Sequence, residues 1–138
     1  MADLSGVFRD RYYDPGYVYI AGSLSGRLIK IGTTINIGPQ QRKLQHLRYA
    51  SLGDWVILYY VWVDEGGRTE QDALRRLRHY KTLRVYEKDG TWKKGREALK
   101  CSFSMAYDTL SDLITAEQRL RAWDSVFCID YEFRYRES

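Results

Sequence analysis

Between Gly16 and Gly32 the chain reads GYVYIAGSLSGRLIKIG, two alternating apolar stretches on either side of a small, polar run. This pattern predicts a β-hairpin with strands at Tyr17 to Ala21 and Leu28 to Ile31. If the turn closes around Leu24 and Ser25, Gly22 faces Arg27 and Tyr19 faces Lys30. An ammonium then stands opposite a phenol inside an apolar strand, with Tyr17 two residues away on the same face.

The next segment, GPQQRKLQHLR, predicts a helix with Pro39 in its first turn and Leu44 and Leu47 on one face. Trp55 to Val63 is an almost unbroken β-branched and aromatic run, WVILYYVWV. It reads as a strand covered on both faces and as the centre of the sheet. After the turn DEGG comes RTEQDALRRLRHY, a second helix with Ala73, Leu74 and Leu77 on its inward stripe and Thr69 as N-cap. SFSMAYDTLSDLI and TAEQRLRAW predict two short helices, the latter opened by a T-x-x-Q capping box. The closing VFCIDYEFRYR alternates, with Phe127, Ile129, Tyr131, Phe133 and Tyr135 on one side, and predicts a half-buried strand.

Composition narrows the class. The 138 residues suit one domain, and 44% hydrophobic with 29% charged residues indicates a globular protein able to bury a core. No apolar run is long enough for a membrane helix, and the charged start MADLSGVFRDRYYD holds no apolar core of a signal peptide, so a cytoplasmic protein is expected. Cys101 and Cys128 are far apart, and His46 and His79 complete no zinc spacing, so the cysteines read as small core residues.

The net charge of +4 is unevenly distributed. Arg68 to Lys100 holds 11 Lys and Arg against 5 Asp and Glu, a local excess of +6. Arg75, Arg76, Arg78, Lys93, Lys94 and Arg96 in this region form either a phosphate-facing surface or a solvated face.

The order of GYVYI, a short hairpin, KIG and an arginine-bearing helix resembles the GIY-YIG nuclease superfamily. Tyr19 and Lys30 lie eleven residues apart, matching the family's separation of its two motif tyrosines, and Arg42 in QQRKLQHLR matches the family arginine. Lys30 replaces the second tyrosine, as it does in a branch that includes some restriction enzymes and phage-type nucleases. Glu70 in TEQDALRRL holds the place of the family's metal-binding glutamate, His46 stands four residues after Arg42, and GREALKCSF resembles a late motif of the lysine-bearing branch. The similarity covers roughly residues 16 to 103, leaving 104 to 138 as a C-terminal extension.

The resemblance implies an α+β domain, a small three-stranded antiparallel sheet flanked by helices, that cuts double-stranded DNA to 5′-phosphate and 3′-hydroxyl ends. Glu70 would hold Mg²⁺ or Mn²⁺, and Tyr19, with Tyr17 as rival, would activate water with help from Lys30. Arg42 would neutralise phosphoryl oxygens, and His46 would relay a proton or only hydrogen-bond. Glu97 is a second acidic candidate, and the late asparagine of many members has no clear counterpart. The alternating C-terminal segment would offer an edge for a homodimer. The rival readings are a non-catalytic nucleic-acid-binding module and a protein-interaction domain.

Overall fold

The computed structural model describes residues 12–82, 85–88, 91–94, 98–125 and 127–136. The hairpin forms from β1 (Gly16–Ser23) and β2 (Leu28–Thr34). Helix α1 (Ile37–His46) follows, then β3 (Trp55–Val63) and α2 (Gly66–Arg76). A two-stranded hairpin, β4 (Val85–Lys88) and β5 (Thr91–Lys94), precedes the short strand β6 (Ala98–Leu99). The chain continues through α3 (Phe103–Ser111), α4 (Ala116–Leu120), β7 (Trp123–Asp124) and α5 (Phe127–Arg136). The fold is mixed α+β, as expected, with a five-stranded antiparallel sheet in the order β6-β2-β1-β3-β7 rather than a three-stranded one. The two added strands are only two residues long, and such short pairings leave no periodic signal in a sequence. The central strand is therefore β1, and β3 stands next to it.

The hairpin register differs from the expected one by two residues. Ser23 pairs with Leu28 across a four-residue turn, so Tyr19 faces Gly32 and Lys30 faces Ala21. Asp54 fixes this turn: its carboxylate accepts from Ser23 Oγ at 2.6 Å and from the Ser25 amide at 2.8 Å. Partial burial works to raise the Asp54 pKa, but these hydrogen bonds outweigh it and hold the carboxyl below its ordinary value. A slip of two residues keeps every side chain on its original face, so Tyr19 and Lys30 still share one.

A bulge opposite Ile20 and Ala21 lets β3 place Leu58 and Tyr59 on the same side. Each sheet face has its own core. Val18, Ile20, Ile29, Ile31, Val61 and Val63 pack against Ala73 and Leu74 of α2, Ala106 and Leu110 of α3, and Tyr131 of α5. On the opposite face Tyr19, Ala21, Leu28, Trp55 and Ile57 pack with Leu44 of α1. Leu47, expected on the buried stripe of α1, is its C-cap and is exposed.

Helix α2 starts earlier than its sequence suggests, capped at Glu65, so Thr69 lies inside its first turn rather than at the N-cap. The Thr69 hydroxyl instead donates to the Glu65 carbonyl at 2.9 Å. The early start rests on close approach: a Cβ on Gly66 would stand 3.2 Å from Thr33 Cγ2 and 3.6 Å from Gly16 Cα. The capping box of α4 forms as expected, with Thr115 and Gln118 bonding reciprocally.

The closing segment is a helix, not a strand. Its inward residues are Cys128, Tyr131 and Tyr135, spaced three and four apart, which is helical spacing that the stronger two-residue alternation conceals. Tyr131 is 1% exposed and donates to the Cys101 carbonyl, while Ile129 is 75% exposed. The edge on which the homodimer expectation rested is therefore absent from this segment.

Helical packing predicts that Tyr131→Ala lowers unfolding free energy by about 3–5 kcal/mol. Ile129→Ala should change it by less than about 0.5 kcal/mol; urea unfolding of both variants checks this, since a strand would penalise both. Burial pushes the Cys101 thiol from its ordinary 9.0 up to about 12, and Cys128 up to about 11. Both groups thus lose protons more readily in the unfolded chain. Their contribution is complete below pH 9 and declines as pH rises through the folded values. Urea midpoints should fall with alkaline pH, and fall less steeply in Cys101→Ala.

Candidate active site

Ser23, Lys30 and Glu70 are the buried polar or charged residues among those described. Ser23 belongs to the turn fastened by Asp54. The two charged residues are the lysine and glutamate nominated from sequence, each 7% exposed. Buried ionisable groups cluster at functional sites, and these two flank one hairpin.

Lys30 and Tyr19 share a face through small neighbours. Ala21 opposite Lys30 and Gly32 opposite Tyr19 leave space over the sheet, and the Tyr19 ring lies across Gly32. A Cβ there would stand 2.5 Å from Tyr19 Oη. Lys30 Nζ lies 5.5 Å from the Tyr19 ring centroid and 4.8 Å from that of Tyr49, so the ammonium meets aromatic faces. Tyr49 reaches it from a 3₁₀ turn, Tyr49–Ser51, where Arg48 and Ala50 adopt positive φ angles of 50° and 54°. Two non-glycine residues in that region store strain around the ring that covers Lys30. The buried Trp55 indole donates to the Tyr49 carbonyl at 2.7 Å and holds the turn.

Helix α1 completes this side through its glutamines. Gln40 Nε2 donates to Tyr19 Oη at 3.0 Å, Gln41 Oε1 accepts from the Ile57 amide, and Gln45 Nε2 donates to the Trp55 carbonyl at 2.7 Å. With Leu44 its one fully buried residue, the helix is attached largely by side chain to backbone hydrogen bonds. Arg42 and His46 stand one turn apart on its exposed surface, beside Gln45. Tyr17 packs edge-on against Tyr60 and Trp62, one row along the sheet from Tyr19.

Glu70 approaches from the opposite face, where Oε2 accepts from Thr33 Oγ1 at 3.2 Å. A cleft of about 360 Å³ opens at this end of the sheet, lined by Gly16, Thr33, Thr34, Gln40, Gly66 and Gly67 among others. Gln40 holds Tyr19 and Thr33 holds Glu70, so phenol and carboxylate are each one side chain removed from one cleft. Among the described residues no three His, Cys, Asp or Glu gather to hold a metal. A single carboxylate still suits Mg²⁺, which keeps several waters and takes substrate phosphate oxygens as ligands.

The arginines of the basic stretch lie elsewhere. Arg75, Arg76 and Arg78 are exposed on or just after α2, the helix packed on the sheet face opposite Lys30. Arg75 pairs with Asp72 at 3.0 Å and Arg76 reaches Asp112 at 3.9 Å, contacts worth little at a surface. The side chains of Lys93 and Lys94, and the whole of Arg96 and Glu97, lie outside the described residues. Sequence reasoning missed Gln40, Thr33 and Tyr49. The one available signal was the run of glutamines at 40, 41 and 45 on a helix otherwise poor in apolar residues.

The domain is mixed α+β, with a buried lysine against Tyr19 and Tyr49 on one sheet face and a buried glutamate bonded to Thr33, a cleft residue, on the other. The chain belongs to the T5orf172 domain family, whose model matches residues 16–116. Neither the curated proteins nor the solved structures contain a match to it. Membership points to a nuclease-like or DNA-binding role, with nucleic acid as the partner. No helix among the described residues is long and apolar enough to cross a membrane.

Gly32→Ala should displace the Tyr19 ring and lower stability by about 1–3 kcal/mol. A Cβ on Gly16 would meet only the Thr34 carbonyl oxygen, at an ordinary 3.6 Å. Gly16→Ala should therefore change stability by less than about 1 kcal/mol, and thermal unfolding of the pair separates ring displacement from a general glycine effect.

Proposed function

We propose that this domain is a metal-dependent DNA endonuclease of the GIY-YIG type, hydrolysing phosphodiesters to 5′-phosphate and 3′-hydroxyl ends. The observation that carries the reading is the burial of Lys30 and Glu70 at matching motif positions, Lys30 against the Tyr19 ring and Glu70 bonded to Thr33 of the cleft at the sheet end, where Gln40 holds Tyr19. Phosphodiester hydrolysis employs both a cation and a carboxylate.

In this reading Tyr19 takes a proton from water as its oxygen attacks phosphorus, and the bond to the 3′-oxygen breaks in line. The Gln40 amide donates to the Tyr19 oxygen and so favours its anionic form, while the Lys30 ammonium supplies positive charge nearby. Arg42, exposed on α1, suits bidentate contact with the phosphoryl oxygens. His46, exposed on the same helix surface, would return a proton to the leaving oxygen in this reading. Glu70 and Thr33 are the residues that would hold Mg²⁺ or Mn²⁺ together with water and phosphate oxygens. A metal bound there supplies charge to the phosphoryl group and the departing 3′-oxygen. Tyr17, engaged with Tyr60 and Trp62, is less suited to proton transfer than Tyr19.

Purified protein should nick or linearise supercoiled plasmid with Mg²⁺ or Mn²⁺ and lose this in EDTA. Glu70→Gln should abolish cutting, and Tyr19→Phe should slow it by about 10²–10⁴ while circular dichroism stays native. Retained cutting by Glu70→Gln, or no metal-dependent cutting of plasmid or branched DNA by the wild type, overturns the reading and leaves a binding module.

A further inference from the structure

On the sheet face that carries Tyr19 and Lys30, aromatic side chains continue toward the β7 edge. Tyr19 pairs across strands with Tyr60, and Tyr60 with Trp123. The Tyr60 and Trp123 rings are stacked, with centroids 4.9 Å apart and planes 24° from parallel. Tyr17 meets Tyr60 at 5.3 Å and Trp62 at 4.8 Å, both edge-on. The four rings form one strip, yet Trp62 is 46% exposed and Trp123 45%. Large indoles left half in water beside a site are a docking surface.

Charge narrows the occupant. Helix α1 packs on this same face through Leu44, and from Leu28 to Gly53 the chain contains Lys30, Arg42, Lys43 and Arg48 with no Asp or Glu. Arg42, Lys43 and Arg48 are all exposed. A ligand spanning this face therefore meets cationic groups on α1 and flat apolar rings on the strands. Phosphates with unstacked bases match that pairing, because every base offers a π-face and every linkage an anion. A duplex keeps its bases stacked internally and presents no free face to a ring.

We propose that the strip of Tyr17, Tyr60, Trp62 and Trp123 binds unpaired bases next to the cleft, while α1 holds the adjoining phosphates. Resting on the nuclease reading above, this names the substrate class of the same site as nucleic acid with a single-stranded or flipped-out segment. Tyr19 shares a sheet row with Tyr60 and Trp123, so a stacked base sets the register of the backbone against Tyr19.

The test is binding, measured without cutting. In EDTA, fluorescence anisotropy of labelled oligothymidylate and of a blunt duplex is recorded for wild type, Trp62→Ala, Trp123→Ala and the two Phe variants. The single strand should bind more tightly than the duplex and quench tryptophan emission. Each alanine variant should lose about tenfold or more in single-strand affinity, with duplex binding little changed and the Phe variants close to wild type. The inference is overturned if the alanine variants bind the single strand like wild type, or if both substrates weaken alike. It is equally overturned if wild type binds no oligonucleotide, which would make the strip a protein-partner surface. Metal-dependent cutting that ignores both tryptophans sinks this inference alone. Tryptophan-dependent strand binding by a protein that never cuts sinks the nuclease reading alone.

Discussion

Tyr19 lies flat across Gly32 because the register of one hairpin puts a residue without a side chain opposite it, and the geometry of the buried site follows from that placement. The same register sets Lys30 over Ala21, the other small position on this face. Were either position to carry a larger side chain, the ring and the ammonium would compete for the volume between sheet and α1. The turn that fixes the register lies two residue pairs from Lys30 and four from Tyr19, held by Asp54 through Ser23 and Ser25. A carboxylate outside the hairpin thereby determines which residues meet along it.

The two faces of the sheet are built on different principles. The face under α2, α3 and α5 is an ordinary apolar core, dense in Val, Ile, Leu and aromatic residues. The face under α1 accommodates a buried lysine, a strained turn and a helix attached by glutamines, and it is the less economical of the two in stability. A domain of this size tolerates the second because the first supplies most of the burial. Glu70 is the connection between them: it stands on α2, anchored in the apolar face, and reaches Thr33 at the rim where both faces meet the cleft.

Much of this was legible in the chain. The strands β1, β2 and β3 and the helices α1 to α4 follow from alternation, helical spacing and capping residues, and the buried charge of Lys30 was visible as an ammonium among Leu28, Ile29 and Ile31. The register was not, because a hairpin loop of this composition closes with either two or four residues, and the arbiter, Asp54, lies outside the hairpin. The C-terminal helix was misread because Phe127 and Ile129 contribute to an apolar alternation while standing largely in water. Only tertiary packing distinguishes that pattern from the Cys128, Tyr131 and Tyr135 stripe beneath it. Gln40 was overlooked because a polar residue on a helix is ordinarily solvated, and its bond to Tyr19 exists only once the sheet is formed.

The attachment of α1 has a dynamic consequence. A helix held by one buried leucine and side chain to backbone hydrogen bonds has little apolar burial opposing its release, whereas α2 buries Ala73 and Leu74 as well as Glu70. Segments with few buried apolar contacts open at lower free energy than the core. Helix α1 carries Arg42 and His46 and, through Gln40, positions Tyr19. A small displacement of α1 would alter the exposed surface of Arg42 and His46 and the tyrosine's hydrogen bond together, while β1 and β2 keep Lys30 in place. The less firmly packed helix thus bears the exposed Arg42 and His46, and the firmly packed one bears the buried carboxylate. That division lets α1 shift without exposing the charge buried under α2.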